Sequence, residues 1–413
     1  MVTDVGMGRD EALNGSLDPD PGTGDGGSGL RDRALARAKA AFYGPIAAYA
    51  AAHAVVMALF AWSLAHQHGR FLFALSSWDA DWYTKIAKHG YENHLHYSHS
   101  GRIEQMRIAF FPLLPMLERG ISTTTGLDPH NAGIVISLVA SLVAAVGIHA
   151  VLKDRLGNRA ALVAVALWAA APPSIYESSA YSEPLFTAVT VWALWALLRR
   201  RWLTAAGLTV AAGLCRSSAV TLIGLVCLLA LVEAVRSRGR DWRAVVAVVL
   251  APMGFIGYMV YLGIHTGHYD AWFKAEKAPY WESSFDFGKS TWDALRGLAG
   301  FDGVHNADFL ATVLVGGVVV TSIVALYFVI RDRRLPWELV AWTVLTVLFS
   351  LLTGGGFSSK ARFLLPCFIL WAPFASWFAK SRTSSMVLGV VVIALVGGWF
   401  GAYFLGPANH MSP

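Results

Sequence analysis

The chain has 413 residues, of which 55% are apolar and only 15% are charged, and its mean hydropathy is +0.50. Soluble domains carry about 25% charged residues, so this composition excludes a soluble enzyme, a disordered protein and a fibrous protein. The net charge of +6 is interpreted first as a topology signal, because basic residues concentrate in the cytoplasmic loops of membrane proteins. The composition therefore predicts a polytopic, all-α membrane protein.

The N-terminal segment differs in composition from the rest of the chain. Residues 1–30 are rich in Gly, Asp, Ser and Pro and lack apolar periodicity, which is typical of disordered segments. A basic cluster follows and precedes the first apolar segment. We therefore expect 1–40 to be a disordered cytoplasmic tail, 41–405 to be a single transmembrane domain, and 406–413 to be a short outer tail.

Eleven apolar segments are predicted to cross the membrane as helices. The stretch 202–235 is longer than one span needs and is interrupted by Arg216. The basic short loops alternate consistently only if this stretch is a hairpin of two short helices, with the N-terminus in the cytoplasm and the C-terminus outside. The other predicted spans are 45–65, 130–152, 158–174, 181–198, 243–264, 308–330, 335–353, 363–379 and 386–405.

Two long loops, 66–129 and 265–307, are predicted on the outer side. The first contains an apolar piece, 108–121, which we expect to be a helix lying at the membrane interface. The second mixes Trp and Tyr with acidic and basic residues. Candidate site residues are therefore sought at the outer ends of the spans.

The stretch Trp78-Asp79-Ala80-Asp81-Trp82-Tyr83 follows the first span and places two carboxylates beside aromatic rings. A carboxylate held partly desolvated at a bilayer edge has a raised pKa and is a better base. The alternative is an interfacial aromatic belt with two solvated acids. The spacing of the two acids does not decide between these interpretations.

Glu183 lies in the string Tyr181-Ser182-Glu183 at the start of a predicted span. An acid that enters a membrane helix is usually functional or paired. The alternative is that Glu183 only complements the N-terminal dipole of its helix.

Three cations stand in short outer turns, against the positive-inside trend. Arg216 lies at the tip of the predicted hairpin, and Lys360 and Arg362 follow three glycines near the end of the chain. Arg offers a fork that matches phosphate, so an anionic ligand would explain them. The alternative is that the side chains snorkel to lipid headgroups.

A histidine cluster in the first loop raises the question of a metal ion. His89, His94, His96 and His99 are spaced so that one face could present several imidazoles. Such a site needs a fixed geometry that a polar loop does not guarantee. No cofactor follows from the sequence, and a divalent cation stays open.

These motifs, in this order, resemble the PIG-V family of GPI mannosyltransferase II and its bacterial relatives. The resemblance runs from about residue 45 to 380 and implies a glycosyltransferase of the GT-C class. Enzymes of this class take a sugar from a polyprenyl-phosphate carrier on the outer or lumenal face. The matching residues are Trp78-Asp79-x-x-Trp82-Tyr83-x-x-Ile86-Ala87-x-x-Gly90-Tyr91, Phe110-Phe111-Pro112-Leu113-Leu114-Pro115, Tyr181-Ser182-Glu183, Arg216 and Arg362-Phe363.

The resemblance implies inverting transfer of mannose to a hydroxyl of a glycolipid, glycan or protein, with no nucleic acid involved. In a bacterium the protein would lie in the plasma membrane, with the site facing outward. Asp79 would be the base, and Asp81 would assist it or bind a metal with it. The implied sets are catalytic Asp79, Asp81 and Glu183, phosphate-binding Arg216, Arg362 and Lys360, and sugar-lining Trp78, Trp82, Tyr83 and Tyr181.

Two alternatives stay open at this level. The first is a transferase of the same class that moves another sugar, such as arabinose or glucose. The second is a flippase or transporter of polyprenyl lipids without covalent chemistry. A transporter predicts charged residues near the middle of the membrane and an internal repeat, and the sequence shows neither.

Overall fold

A computed structural model describes residues 26–279, 281–300 and 307–407. The described residues are almost entirely helical, and their only β pairings are two isolated bridges, Tyr97 with Ile103 and Phe285 with Thr353. The helices are α1 (Gly26–His66), α2 (Phe71–Leu75), α3 (Asp79–His89), α4 (Leu113–Thr125), α5 (Pro129–Leu156), α6 (Asn158–Ala170), α7 (Ser182–Leu198), α8 (Trp202–Gly213), α9 (Val220–Arg236), α10 (Trp242–Leu250), α11 (Met253–Thr266), α12 (Ala271–Ala275), α13 (Lys289–Gly300), α14 (Ala307–Arg331), α15 (Trp337–Leu352), α16 (Lys360–Phe363), α17 (Ala372–Phe378) and α18 (Thr383–Leu405).

The predicted all-α polytopic fold is confirmed. In the described part of the chain, six helical segments are long and apolar enough to cross a bilayer, and one bent helix pair brings this to seven. Four shorter apolar helices, α6, α7, α8 and α15, occupy the remaining predicted segments. Each of the eleven predicted spans therefore coincides with one helix or with two consecutive helices, as α10 and α11 do in the span 243–264.

The two ends of the chain are only partly described. Residues 1–25 of the predicted tail and residues 408–413 at the C-terminus lie outside the described residues. Helix α1 begins at Gly26, so it includes the last part of the segment predicted as a tail. The described residues from Ala41 onwards belong to one compact unit, which carries the site.

Local chemistry explains the breaks that bring polar residues to one end of the bundle. Arg216 separates α8 from α9, as the predicted hairpin requires, and its backbone is extended. Pro172 and Pro173 follow α6, where proline cannot continue a helix. Near the end of the chain, Pro366 falls in a break where the helical pair bends by 77°. These interruptions leave Arg216 and Arg362 in short, sharply bent segments.

The apolar piece of the first loop forms helix α4, which packs against α5. Its Glu118 is fully buried, and both carboxylate oxygens lack a hydrogen-bond partner among the described residues. Gly133 of α5 makes room for this side chain, since a Cβ there would lie 2.5 Å from Glu118 Oε1. Burial and the nearby Asp128 charge raise the pKa of the Glu118 carboxyl to about 9.

We expect Glu118→Gln to raise the melting temperature of the detergent-solubilised protein at pH 8 by a few degrees. The folded protein keeps a proton on Glu118 that the unfolded chain releases above about pH 4.5, so stability falls as the pH rises from there towards 9. Gln carries no such proton, and the variant should show a flatter dependence of melting temperature on pH. Glu104→Gln, at an exposed position of the same loop, is the control and should keep the parent profile.

Candidate active site

Four charged side chains from four separate segments meet at one end of the helix bundle. Arg216 Nη1 lies 2.6 Å from Glu183 Oε1, and Arg362 Nη1 donates to the same oxygen at 3.4 Å and to Asp79 Oδ2. The order Arg216–Glu183–Arg362–Asp79 therefore forms a continuous chain of ion pairs, called the charge ladder below. Its two positive and two negative charges cancel.

The two arginines of the charge ladder have anionic partners within the protein. The sequence suggested an anionic ligand as the reason for Arg216 and Arg362, and in the structure Glu183 and Asp79 supply opposite charges. Each of these contacts uses Nη1 of the arginine, and a guanidinium has five N–H donors. Arg362 Nε is buried without a partner in the described part of the chain, so donor capacity remains for a ligand.

Buried polar and aromatic side chains hold the charge ladder in place. Ser182 Oγ accepts hydrogen bonds from Arg216 Nη1 at 2.9 Å and from Tyr83 Oη at 2.8 Å. Tyr181 Oη donates to Ser77 O at 3.2 Å, and its ring lies 5.3 Å from the Arg362 guanidinium. Tyr83 and Tyr181, predicted to line the sugar site, are thus buried and bonded to protein groups beside the ladder.

The two carboxylates of the ladder differ in access. The Glu183 side chain is 0% exposed, whereas the Asp79 side chain is 17% exposed. Asp79 begins helix α3, and the preceding Trp78 has φ of 61° and ψ of −117°, a backbone conformation rare outside glycine. Strain of this kind is concentrated at functional sites. Asp79 is the ladder carboxylate that a substrate can reach.

Aromatic rings from both long loops stand next to α3. Trp82 stacks on Phe110 with ring centres 5.8 Å apart, and Trp281 meets both rings edge-on at 5.4 and 5.5 Å. The Trp272 indole donates to Ala109 O at 3.2 Å and fixes the second loop on the first. Trp82 also has Lys85 Nζ 4.7 Å from its ring centre. Trp82 and Trp281 are candidate lining residues because they stand where the two long loops meet beside α3.

Sequence reasoning missed Glu276 and Trp281, both in the second loop. Glu276 follows α12 and interacts electrostatically with Asp79 and Arg216. Desolvation and Asp79 raise the pKa of Glu276 to about 7, while the Ser283 hydroxyl and Arg216 oppose the rise. The sequence did show that this loop mixes aromatic and charged residues. It is the packing of the second loop on the first that places Glu276 and Trp281 near the charge ladder.

Asp81 and Lys360 have partners away from the charge ladder. Asp81 Oδ2 pairs with Lys85 Nζ at 2.7 Å, and about half of each side chain is exposed. Lys360 Nζ donates to the carbonyls of Ser350 at 3.0 Å and Thr353 at 2.6 Å, which fastens its segment to the end of α15. The structure therefore gives Asp81 and Lys360 contacts other than those predicted for a base and a phosphate ligand.

The predicted histidine cluster does not form a group of ligands. His94 and His96 lie with ring centres 4.3 Å apart, but no three His, Cys, Asp or Glu side chains of the described residues are placed to hold a metal ion together. Asp79 and Asp81, the acids considered for a metal, are paired with Arg362 and Lys85.

The described residues thus form a polytopic helical bundle in which an accessible carboxylate and two arginines meet. The mannosyltransferase (PIG-V) family matches residues 46–259, slightly more than half of the chain. The chain belongs to this family, as the order of its motifs predicted. The matched region includes Asp79, Glu183 and Arg216, and folding brings Arg362 to them from outside it.

Among solved structures, the chain is similar to ArnT from Cupriavidus metallidurans in two states. The apo structure shares 15% identity, with a TM-score of 0.45, over 74% of this chain and 56% of ArnT. The structure bound to undecaprenyl phosphate also shares 15% identity, with a TM-score of 0.49, over 82% of this chain and 62% of ArnT. The chain thus matches less than two thirds of the length of ArnT. No curated protein sequence matches this chain.

Proposed function

We propose that the protein transfers mannose from a polyprenyl-phosphate carrier to a hydroxyl group of a glycan, glycolipid or protein acceptor on the outer face of the membrane. The observation that carries this proposal is the charge ladder, in which a mannosyltransferase-family chain joins an accessible carboxylate to two arginines. A base for a hydroxyl and cations for a leaving phosphate are the two groups that this reaction needs.

In the proposed reaction, the acceptor oxygen attacks the anomeric carbon from the side opposite the phosphate. The bond from the acceptor oxygen to this carbon forms, the bond from carbon to the phosphate oxygen breaks, and the configuration inverts. Asp79 accepts the hydroxyl proton, and polyprenyl phosphate leaves with the bonding electron pair. Trp82 and Trp281 would flank the sugar.

Because the charge ladder is neutral before reaction, Arg362 can act both as the partner of Asp79 and as a cation for the leaving phosphate. Before reaction, the charges of Asp79 and Glu183 balance those of Arg362 and Arg216. Once Asp79 takes the proton, the ladder carries one net positive charge. This positive charge develops as the leaving phosphate becomes more negative. The N–H donors of Arg362 would therefore stabilise the phosphate in the transition state.

The direct test is to incubate membranes that contain the protein with labelled polyprenyl-phosphate-mannose and to identify the labelled product. We expect label in a product only when the protein is present. Polyprenyl-phosphate carriers of arabinose or glucose, supplied in parallel, test whether the protein transfers one of these sugars instead of mannose. Passage of the carrier across the membrane without transfer of label would contradict the proposal and favour a flippase.

The proposed side of the membrane is tested by labelling with an impermeant thiol reagent in a chain without its native cysteines. Asn93→Cys, at an exposed position of the first loop, should label in intact cells. Arg240→Cys, in a loop predicted to be cytoplasmic, should label only after permeabilisation. The opposite pattern would contradict the outer location and with it the choice of a lipid-linked donor.

We expect the KM for the donor to rise several-fold between pH 6 and pH 8. The pKa of Glu276 is about 7, so Glu276 is neutral at the lower pH and adds a negative charge beside Asp79 and Arg216 at the higher pH, where it repels the phosphate. In Glu276→Gln the KM for the donor should stay at its pH 6 value from pH 6 to pH 8. Glu282→Gln, at an exposed position of the same loop, is the matched control, and an unchanged pH profile in Glu276→Gln would exclude this role.

A further inference from the structure

The chain between α6 and α7, residues 171–181, is almost entirely buried although it is not an α-helix, and it is called the 171–181 segment below. It leads directly to the charge ladder. Tyr181 at its end lies with its ring 5.3 Å from the Arg362 guanidinium, and Glu183 follows in the first turn of α7. Because buried backbone outside a regular helix needs other hydrogen-bond partners, the contacts that hold this segment also determine where Glu183 stands.

A histidine from the first span binds the 171–181 segment. His53 of α1 is buried, with Nδ1 3.1 Å from Ala169 O at the end of α6 and Nε2 2.6 Å from Ser178 Oγ. A carbonyl oxygen only accepts, so in the neutral imidazole Nδ1 carries the proton and Nε2 accepts a hydrogen bond from the Ser178 hydroxyl. His53 thus joins the end of α6 to a point five residues before Glu183.

The contact between His53 and Ser178 is not a second catalytic centre. Both side chains are buried, so a substrate cannot reach the serine hydroxyl. Glu177 Oε2 lies 3.9 Å from His53 Nδ1, which is beyond hydrogen-bond distance, and Nδ1 is directed to Ala169 O instead. The contact therefore holds the chain in place and does not activate a nucleophile.

Other helices hold backbone atoms of the 171–181 segment. The hydrogen bonds are Ser141 Oγ to Glu177 O at 2.9 Å, Ser137 Oγ to Tyr181 O at 3.2 Å and Ala180 N to Leu75 O at 2.9 Å. His53 differs from these partners because it binds the side chain of Ser178. A single substitution can therefore remove the histidine contact and leave the backbone hydrogen bonds intact.

We propose that His53 is a positioning residue for the active site, which acts through Ser178 to hold Glu183 between the two arginines of the charge ladder. The inference rests on the proposed function, because it takes these arginines as ligands of the donor phosphate. Glu183 Oε1 lies 2.6 Å from Arg216 Nη1 and 3.4 Å from Arg362 Nη1. A shift of the 171–181 segment would therefore displace both arginines from the phosphate together.

The first test is Ser178→Ala, which removes the hydroxyl that His53 binds. We expect the KM for the donor to rise about fivefold, the usual effect of losing one hydrogen bond. The kcat should stay within about twofold, because Asp79 keeps Arg362 as its partner. A purely structural role would lower the amount of folded enzyme, and so the apparent kcat, without changing the KM.

His53→Asn is an independent variant for the same contact. Asn can place a donor near the position of Nδ1 but does not extend to that of Nε2, so it should raise the KM for the donor as Ser178→Ala does. The double variant should show no larger effect than either single variant, since both remove one contact. Ser174→Ala is the matched control, because Ser174 is a buried serine of the same segment whose Oγ has no hydrogen-bond partner among the described residues. It should keep the parent KM and kcat.

The second test repeats Ser178→Ala in a Glu183→Gln background. Without the carboxylate that joins the two arginines, Ser178→Ala should change the KM for the donor less than about twofold. An unchanged KM in folded Ser178→Ala and His53→Asn, or the full fivefold effect in the Glu183→Gln background, would overturn the inference. Absence of transfer by the parent protein would instead contradict the proposed function, so the two failures are distinguishable.

Discussion

Asp79→Asn should lower the rate of sugar transfer by about 10²–10⁴-fold, the usual cost of removing a general base. Asn keeps the size of the side chain and can still accept a hydrogen bond from Arg362, but it cannot take a proton from the acceptor hydroxyl. The loss should therefore appear in kcat, and the KM for the donor should not rise, because the variant removes a negative charge from the charge ladder. Initial rates with labelled polyprenyl-phosphate-mannose measure it.

Asp81→Asn is the matched control for this prediction. Asp81 lies two residues further along the same helix and pairs with exposed Lys85 at 2.7 Å, so its loss should leave transfer close to the parent rate. A correctly folded Asp79→Asn protein that transfers sugar at the parent rate would make Asp79 structural. Glu183 would then be the next candidate for the base.

Arg362→Lys should raise the KM for the donor about tenfold or more and also lower kcat. Hydrogen bonds to charged groups contribute about 1.5–3 kcal/mol, and 1.4 kcal/mol corresponds to a factor of ten. Lysine offers one ammonium in place of a planar fork, so it cannot contact Asp79, Glu183 and a phosphate with the same geometry. The reduction in kcat follows because Asp79 loses the partner that orients it.

Arg216→Lys should change the KM for the donor in the same direction, and neither variant should alter the KM for the acceptor. The control is Arg199→Lys at the opposite end of α7, about 24 Å from Glu183 along the helix, where Arg199 pairs with exposed Asp154 at 3.4 Å. Donor titration distinguishes the hypotheses, since an unchanged KM in both Arg216→Lys and Arg362→Lys would exclude a phosphate role. Melting curves of each variant show whether the protein is folded.

The sequence by itself determined the class of fold and the order of the elements. Hydropathy and basic loops predicted eleven helical segments, including the hairpin broken at Arg216, and each has a helical counterpart. This succeeds because a bilayer requires every backbone polar group to bond within its own helix, so apolar length alone marks a span. The sequence also singled out Asp79, Glu183, Arg216 and Arg362, since charges at the ends of apolar spans are conspicuous.

Only the tertiary structure decided how those four residues act together. Asp79 and Arg362 are 283 positions apart, and no spacing rule indicates that they pair or that Glu183 joins both arginines. The distinction between Asp79 and Asp81 also depends on packing, because Lys85 lies one helical turn after Asp81 while Arg362 reaches Asp79 from another segment. Glu276 and Trp281 come to the site through a loop whose course depends on side-chain docking, which local patterns do not encode.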